Sequence, residues 1–238
     1  MSKLPSTWST KVTATRREFL GQLTASAGML GIAPLSLEHD TAMLATVATS
    51  VADEKWDLSW TKKLTTKYRV VFDVPEIENG YGVWRATLWR NEYQQTLGVQ
   101  PKDTTTVLVL RHNAIVLAMN QAFWDKYKIG KARDVKHPWT EQPTDRNVAL
   151  LSSKRKEQPA EFDSFALDQF MARGGIALAC NRAFGDLVAM VASQDKVNDT
   201  EARKRATSMI VPGVIMQPSG VFAALHAQDF GCKYFRAT

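Results

Sequence analysis

One seven-residue run, Thr104–Leu110 (TTTVLVL), constrains this chain more than any other stretch, because past its threonines it is apolar without alternation. A strand with one wet face alternates polar and apolar positions. An uninterrupted β-branched and leucine run is instead buried on both faces, as a central strand of a parallel sheet is. Parallel neighbours need long crossover connections, so helices must pack against that sheet.

The surrounding text supplies them. Lys67–Val74 (KYRVVFDV) reads as a first strand, ended by Pro75 and turned by Asn79-Gly80. Trp84, Leu88 and the Tyr93/Leu97 pair recur at helical spacing from Gly82 to Leu97, with Gly98 at the C-cap position. Ala114–Tyr127 (AIVLAMNQAFWDKY) reads as a helix, or as a short strand passing into one. Residues 128–148, with Gly130, Pro138, Pro143 and many charges, read as an excursion from the core, and Asn147–Ser152 (NVALLS) as a minor strand.

Ser164–Arg173 gathers Phe165, Leu167, Phe170 and Met171 on one side of a helix that stops at Gly174-Gly175. Ile176–Cys180 (IALAC) is a short buried strand, followed by a helix from Asn181 to Val191 and a polar helix from Glu201 to Ser208. Met209–Met216 (MIVPGVIM) reads as a strand holding a Pro-Gly break. Ser219 and Gly220 open a helix closed by Gly231, and Lys233–Arg236 (KYFR) is the last strand. This alternation predicts an α/β fold, a mostly parallel sheet of about five strands with helices on both faces.

The amino-terminal text is of another kind. Arg16 and Arg17 precede Phe19–Leu35 (FLGQLTASAGMLGIAPL), an uncharged, glycine-punctuated run shorter and milder than the roughly 20 strongly apolar residues of a membrane span. An arginine pair with Phe-Leu behind it matches a twin-arginine (Tat) export signal. A disordered basic arm or an uncleaved amphipathic anchor are the alternatives, and an arm would have no reason to carry the apolar run. Ser50-Val51-Ala52 offers a small-x-small cleavage site before Asp53, and Met43-Leu44-Ala45 a second. The expected division is residues 1–52 as signal and spacer and 53–238 as one domain in the periplasm or another extracytoplasmic space.

Residues 1–52 carry four cations against three anions, so the remainder keeps +5 of the chain's formal +6. Its densest basic stretch, Lys126–Lys136 (KYKIGKARDVK), is interrupted by Asp134 and has no aromatic ladder, which argues against a nucleic-acid surface and for a solvated loop; an anionic partner stays open. Two cysteines, Cys180 and Cys232, are too few for a disulfide scaffold. In a parallel sheet they fall on opposite rims, one at a strand's carboxyl end and one at a strand's amino end, beyond the roughly 7 Å reach of a disulfide.

Ligands of such sheets bind beyond the carboxyl ends of the strands, which selects His112 and Asn113, Cys180 and Asn181, and Gln217–Gly220. Cys180, at a strand-to-helix turn, meets amide dipoles that favour a thiolate, and Arg182 could add to this; the competing reading is a small buried residue closing IALAC. His112 is either a general base or thiol partner, or a histidine satisfied by loop backbone. His39, His137 and His226 are isolated, and no HExxH, CxxC, P-loop or GxSxG occurs, so no metal or cofactor is expected and a hydrolase or nucleotide-binding reading has no motif behind it.

The segments GGIALACNRAFGDL and MIVPGVIMQPSGVFAALHAQDFGCKYFRA resemble the carboxyl half of DsrE/DsrF-like proteins. The matching elements are Ala179-Cys180-Asn181, Val211-Pro212-Gly213-Val214, Pro218-Ser219-Gly220, Ala227-Gln228 and Gly231-Cys232-Lys233-Tyr234, while KYRVVFDV and TTTVLVLRHNA resemble the family's first two strands. The resemblance implies a compact flavodoxin-like architecture, homo-oligomers (trimers or hexamers), and a sulfur relay in which Cys180 carries a persulfide between donor and acceptor proteins, with His112 and Arg182 tuning the thiolate. The alternative on the same fold is a non-catalytic oligomeric module whose carboxyl-end cleft holds a small ligand or a partner loop. It predicts a buried, unreactive Cys180 and a pocket containing Trp or Tyr.

Overall fold

The computed structural model describes residues 56–238. The arginine pair, the apolar run behind it and both candidate cleavage sites lie outside the described residues. A 3-10 turn, Ser59–Lys63, leads into β1 (Tyr68–Val74), α1 (Tyr81–Leu97) and β2 (Thr104–Leu110). A 3-10 segment, His112–Ala118, is followed by α2 (Gln121–Tyr127), the single turn α3 (Ile129–Ala132) and a long irregular stretch containing the 3-10 segment Ala160–Phe165. Then come α4 (Leu167–Ala172), β3 (Ile176–Cys180), α5 (Asn181–Asp195), α6 (Asp199–Ser208), β4 (Ile215–Gln217), α7 (Gly220–Asp229) and β5 (Lys233–Arg236).

All five strands are parallel, in the order β4-β3-β2-β1-β5. β2 sits at the centre, paired from Tyr68↔Thr104 to Val74↔Leu110 on one side and from Val107↔Ile176 to Leu110↔Ala179 on the other. Topology then dictates the layers. The steps from β1 through β4 all move one way, so right-handed crossovers put their helices on one face; the step to β5 reverses and puts α7 on the other. Side chains follow suit. Phe72, Val74, Leu108 and Leu110 meet Val83, Phe123, Trp124, Leu167 and Phe184 on the first face. Val71, Val107, Val109 and Leu178 meet Trp60, Leu64, Ala223, Ala224 and Ala227 on the second. Each fully buried leucine of β2 contributes roughly 1.5–3 kcal/mol of apolar burial. The result is a three-layer α/β fold with flavodoxin-like layering.

Local chemistry sets the element ends. The Phe123 N–H donates to the Asn120 side chain at 3.0 Å, Glu201 N–H to Asn198 at 2.9 Å and Phe222 N–H to Ser219 at 3.0 Å, capping α2, α6 and α7. Gly98 takes up the left-handed conformation that ends α1.

Three segments differ from expectation. Asn147–Ser152 is a turn and not a strand, because the buried Asn147 amide donates to the carbonyls of Leu117 (3.1 Å) and Met119 (2.6 Å) while its oxygen accepts from Ala149 N–H, folding the backbone locally. Ala114–Tyr127 is 3-10 and then α-helical, with a single antiparallel bridge from Met119 to Ile210 in place of a strand. Met209–Val214 also stays out of the sheet, where Pro212 offers no N–H and Gly213 is left-handed (φ 93°), so β4 is only Ile215–Gln217. Among the described residues, no helix is long and apolar enough to cross a membrane.

Candidate functional site

Left-handed residues run together after the carboxyl end of β1, and another follows β2. Glu78 (φ 38°), Asn79 (φ 52°) and Gly80 (φ 87°) are successive left-handed residues between β1 and α1, and His112 (φ 50°) is left-handed just after β2. Such conformations persist only where the surroundings enforce them, and they cluster at binding sites. Gly80 is held by sterics as well, since a Cβ there would lie 2.9 Å from the Val148 carbonyl oxygen.

Polar groups tie the two loops together. Arg111 donates through Nε to Asp73 Oδ1 at 2.6 Å and through Nη2 to Oδ2 at 2.7 Å, and the Tyr234 hydroxyl donates to Oδ2 at 2.6 Å. Hydrogen bonding to Asp73 raises the Arg111 pKa above its ordinary value. His112 Nδ1 lies 3.1 Å from Glu76 Oε1, and Asn113 donates to Glu76 Oε2 at 2.7 Å. His112 is thus joined to the β1 loop, and its side chain is 64% exposed.

Cys180 ends β3 opposite Gln217 of β4. It is buried, 6% exposed, and its Sγ accepts the Ala183 N–H at 3.4 Å as the N-cap of α5. Arg182 is exposed in the first turn of that helix. The hydrogen bonds bring His112 together with Glu76 and Asn113, and bring neither His112 nor Arg182 to the thiol. Asn181 accepts from Arg203 at 3.0 Å, and Gln217 donates to the Asp57 carbonyl at 2.9 Å. His226 stacks on Phe222, and His137 Nδ1 accepts from Trp139 N–H, both packing roles. Both cysteines are free, Cys180 at a carboxyl end and Cys232 just before the amino end of β5. Burial pushes the Cys232 thiol up to about 11, only partly offset by the Arg69 guanidinium. Among the described residues, no group of three His, Cys, Asp or Glu side chains could hold a metal ion.

The concave feature of this rim is one the pattern of strands and helices did not reveal. Tyr81 and Trp84 from the first turn of α1, Trp139 from the stretch after α3, and Phe162 and Phe165 from the 3-10 segment line a cavity of about 250 Å³. Their rings form a chain: Tyr81 to Trp84 at 6.4 Å edge-on, Trp84 to Phe165 stacked at 5.1 Å, Phe165 to Phe162 at 5.9 Å, and Phe162 to Trp139 at 4.3 Å. Aliphatic atoms of Val148, Ala149 and Leu151 complete the wall, with Asn79 and Gln158 as its carboxamides. No Asp, Glu, Lys, Arg or His lines it.

Trp139 is carried by a small hairpin in which Lys136 bridges Pro143 and His137 N–H donates to the Gln142 carbonyl at 2.8 Å. Lys136 N–H also donates to Asn79 Oδ1 at 3.2 Å, which fastens the hairpin to the strained β1 loop. On the other side of Asn79 lies a polar cavity of about 250 Å³ lined by Glu76, Glu78, Asn113, Arg133 and Asp134. The sequence signals for the cleft were the i, i+3 pairs Tyr81/Trp84 and Phe162/Phe165, but nothing local says that the pairs face each other. Comparison with protein-family models and with curated proteins finds no match to this chain, so the reading of the site rests on its geometry.

Proposed function

We propose that the domain is a small-ligand-binding module whose ligand sits in the aromatic cleft at the carboxyl rim. The convergence of five rings from three separate segments around an uncharged cavity carries the reading. Apolar walls with a few placed polar groups are the usual make-up of small-molecule sites, and stacked or edge-on aromatic contacts add about 0.5–1.5 kcal/mol beyond area burial. In a titration with a planar aromatic probe such as 2-naphthol, followed by tryptophan fluorescence, saturable binding is expected to weaken about tenfold or more in Trp139→Ala. Trp139 is 42% exposed, so that variant retains its core. Unchanged affinity in both Trp139→Ala and Phe162→Ala would sink the proposal.

A second reading comes from the DsrE/DsrF-like resemblance, in which Cys180 carries a persulfide. What supports it is the N-cap position of Sγ, where helix amides favour a thiolate; what opposes it is burial. Intact mass after exposure to polysulfide separates the two. A sulfur adduct lost only in Cys180→Ser supports the carrier, whereas the absence of an adduct, with slow alkylation of the folded protein, leaves the thiol structural.

Tat export and self-association belong to the same proposal, supported by Arg16-Arg17 and by Val221, Leu225 and Phe230, which are 62%, 57% and 42% exposed on or beside α7. Fractionation of cells producing the full chain, followed by sedimentation of the exported form, reads both. Cytoplasmic retention of the wild type, or a monomer at micromolar concentration, contradicts the corresponding half.

A further inference from the structure

Building on the cleft as the binding site, we infer that its ligand is an uncharged planar system of one or two fused rings that presents a hydrogen-bond acceptor to Asn79 and a donor to Gln158. The size follows from the volume. At about 250 Å³ the cleft lies below the roughly 300–1,000 Å³ of drug-sized pockets, which leaves room for a small ring system.

Neutrality follows from the lining. It holds no carboxylate, ammonium, guanidinium or imidazole group. Two carboxylates adjacent in sequence to lining residues are engaged: Glu78 with Arg85, and Asp163 with the Ser153 hydroxyl and the Gln158 amide. A charged ligand would therefore lose hydration without gaining a counter-ion. Aromatic faces can themselves attract a cation, but Trp84 and Phe165 stack nearly parallel, 18° apart, so each spends one face on the other. A planar ring that extends this stack uses the remaining faces.

The polar pattern follows from the two carboxamides. Asn79 Oδ1 is taken by the Lys136 N–H at 3.2 Å, which leaves its amide N–H to donate. The Gln158 amide nitrogen is taken by the Leu151 carbonyl and by Asp163 Oδ1, both at 3.0 Å, which leaves its oxygen to accept. The partners on the occupied ends fix both orientations, an N–H facing the oxygen and carbonyl or carboxylate oxygens facing the nitrogen. The two carboxamides thus present one donor and one acceptor, beside the Tyr81 hydroxyl and the indole N–H groups of Trp84 and Trp139, the complement of a lactam or a hydroxylated heteroaromatic ring.

Calorimetric titration of the full chain with four bicyclic probes tests this: 2-quinolinone, which is neutral with one acceptor and one donor; naphthalene, which is neutral with neither; N-methylquinolinium; and quinoline-2-carboxylate. The 2-quinolinone should bind about tenfold or more tighter than either ion. Asn79→Asp, which keeps the Oδ1 that holds the Lys136 N–H but removes the donor, and Gln158→Met should each weaken 2-quinolinone by roughly 3- to 10-fold, more than they weaken naphthalene. Tightest binding of N-methylquinolinium or of the carboxylate overturns the inference and leaves the cleft as a site of different selectivity. Equal losses for naphthalene and 2-quinolinone in both variants overturn the roles of the carboxamides. If no probe binds, naphthalene included, the cleft reading itself falls.

Discussion

Asp73→Ala is expected to lower the stability of the folded domain by about 3–5 kcal/mol, the range for stripping one partner from a buried ion pair. Asp73 is 2% exposed at the carboxyl end of β1 and holds both the Arg111 guanidinium and the Tyr234 hydroxyl. Without the carboxylate, Arg111 keeps a partly buried charge with no counter-ion, and β5 loses the bond that fastens its second residue to β1. Arg111 cannot easily swing away, because its stem packs against Gly220 at the start of α7, where a Cβ would lie 2.5 Å from the arginine Cβ. Asp73→Asn separates charge from volume, and it should recover less than half of the loss. An unfolding free energy from denaturant titration that falls by less than about 1 kcal/mol in Asp73→Ala contradicts this account. The same cluster has an alkaline signature. Burial, and then the bond to Asp73, raise the Tyr234 pKa above the usual phenol value, so the stabilisation is complete below pH 10, about where an unfolded tyrosine titrates, and fades as pH rises through the higher folded value.

Gly130→Ala should be the most damaging glycine-to-alanine change among the described residues. A Cβ at Gly130 would lie 1.9 Å from the Thr144 carbonyl oxygen and 2.7 Å from Asp145 Cα, both backbone atoms that no rotamer change can move aside. Alanine in the short α3 turn would gain about 1 kcal/mol of helix propensity. Overpacking costs about 1–3 kcal/mol and more where backbone must shift, so the clash wins. Because Thr144 N–H donates to the Val135 carbonyl at 3.0 Å, closing the hairpin that carries Trp139, the displacement reaches the aromatic cleft. The expected result is a net loss of roughly 2 kcal/mol in chemical denaturation, together with weaker binding of the aromatic probe. Gly185→Ala is the control. There a Cβ meets nothing within 4 Å inside α5, and the change should stabilise by up to about 1 kcal/mol. Matching effects at the two positions would mean that the contact at Gly130 is not what holds the hairpin.

The two predictions mark where local sequence was informative and where it was not. β-branched runs located β1, β2 and β3, and Gly98, Ser219 and the break after Arg173 located helix ends, because each is set by residues within a turn or two. The rims of the two cysteines followed from parallel topology alone. NVALLS misled because a hydrophobic run cannot report that Asn147 will spend its amide on the carbonyls of Leu117 and Met119, some 30 residues back. The cleft was invisible for the same reason. Trp84 looked like part of a core-facing stripe and Trp139 like a residue of a charged excursion, and only the folded chain brings the ring of Phe162 to 4.3 Å from the second and that of Phe165 to 5.1 Å from the first. Cys180 was placed correctly on the rim, but its depth depends on how α5 packs, which a strand-end position does not specify.

The sheet also tapers. β1 and β2 run seven residues and β3 five, while the outer strands β4 and β5 have three and four. Unpaired amides and carbonyls at a sheet margin invite pairing with other molecules, and length is what gives such pairing its strength. Here the long apolar strands are walled in by their neighbours, and the β5 margin is brief and bracketed by Lys233 and Arg236, whose positive charges would face one another if two copies met there antiparallel. The molecule can therefore keep an aggregation-prone centre while offering little along its outer edge to seed a fibre.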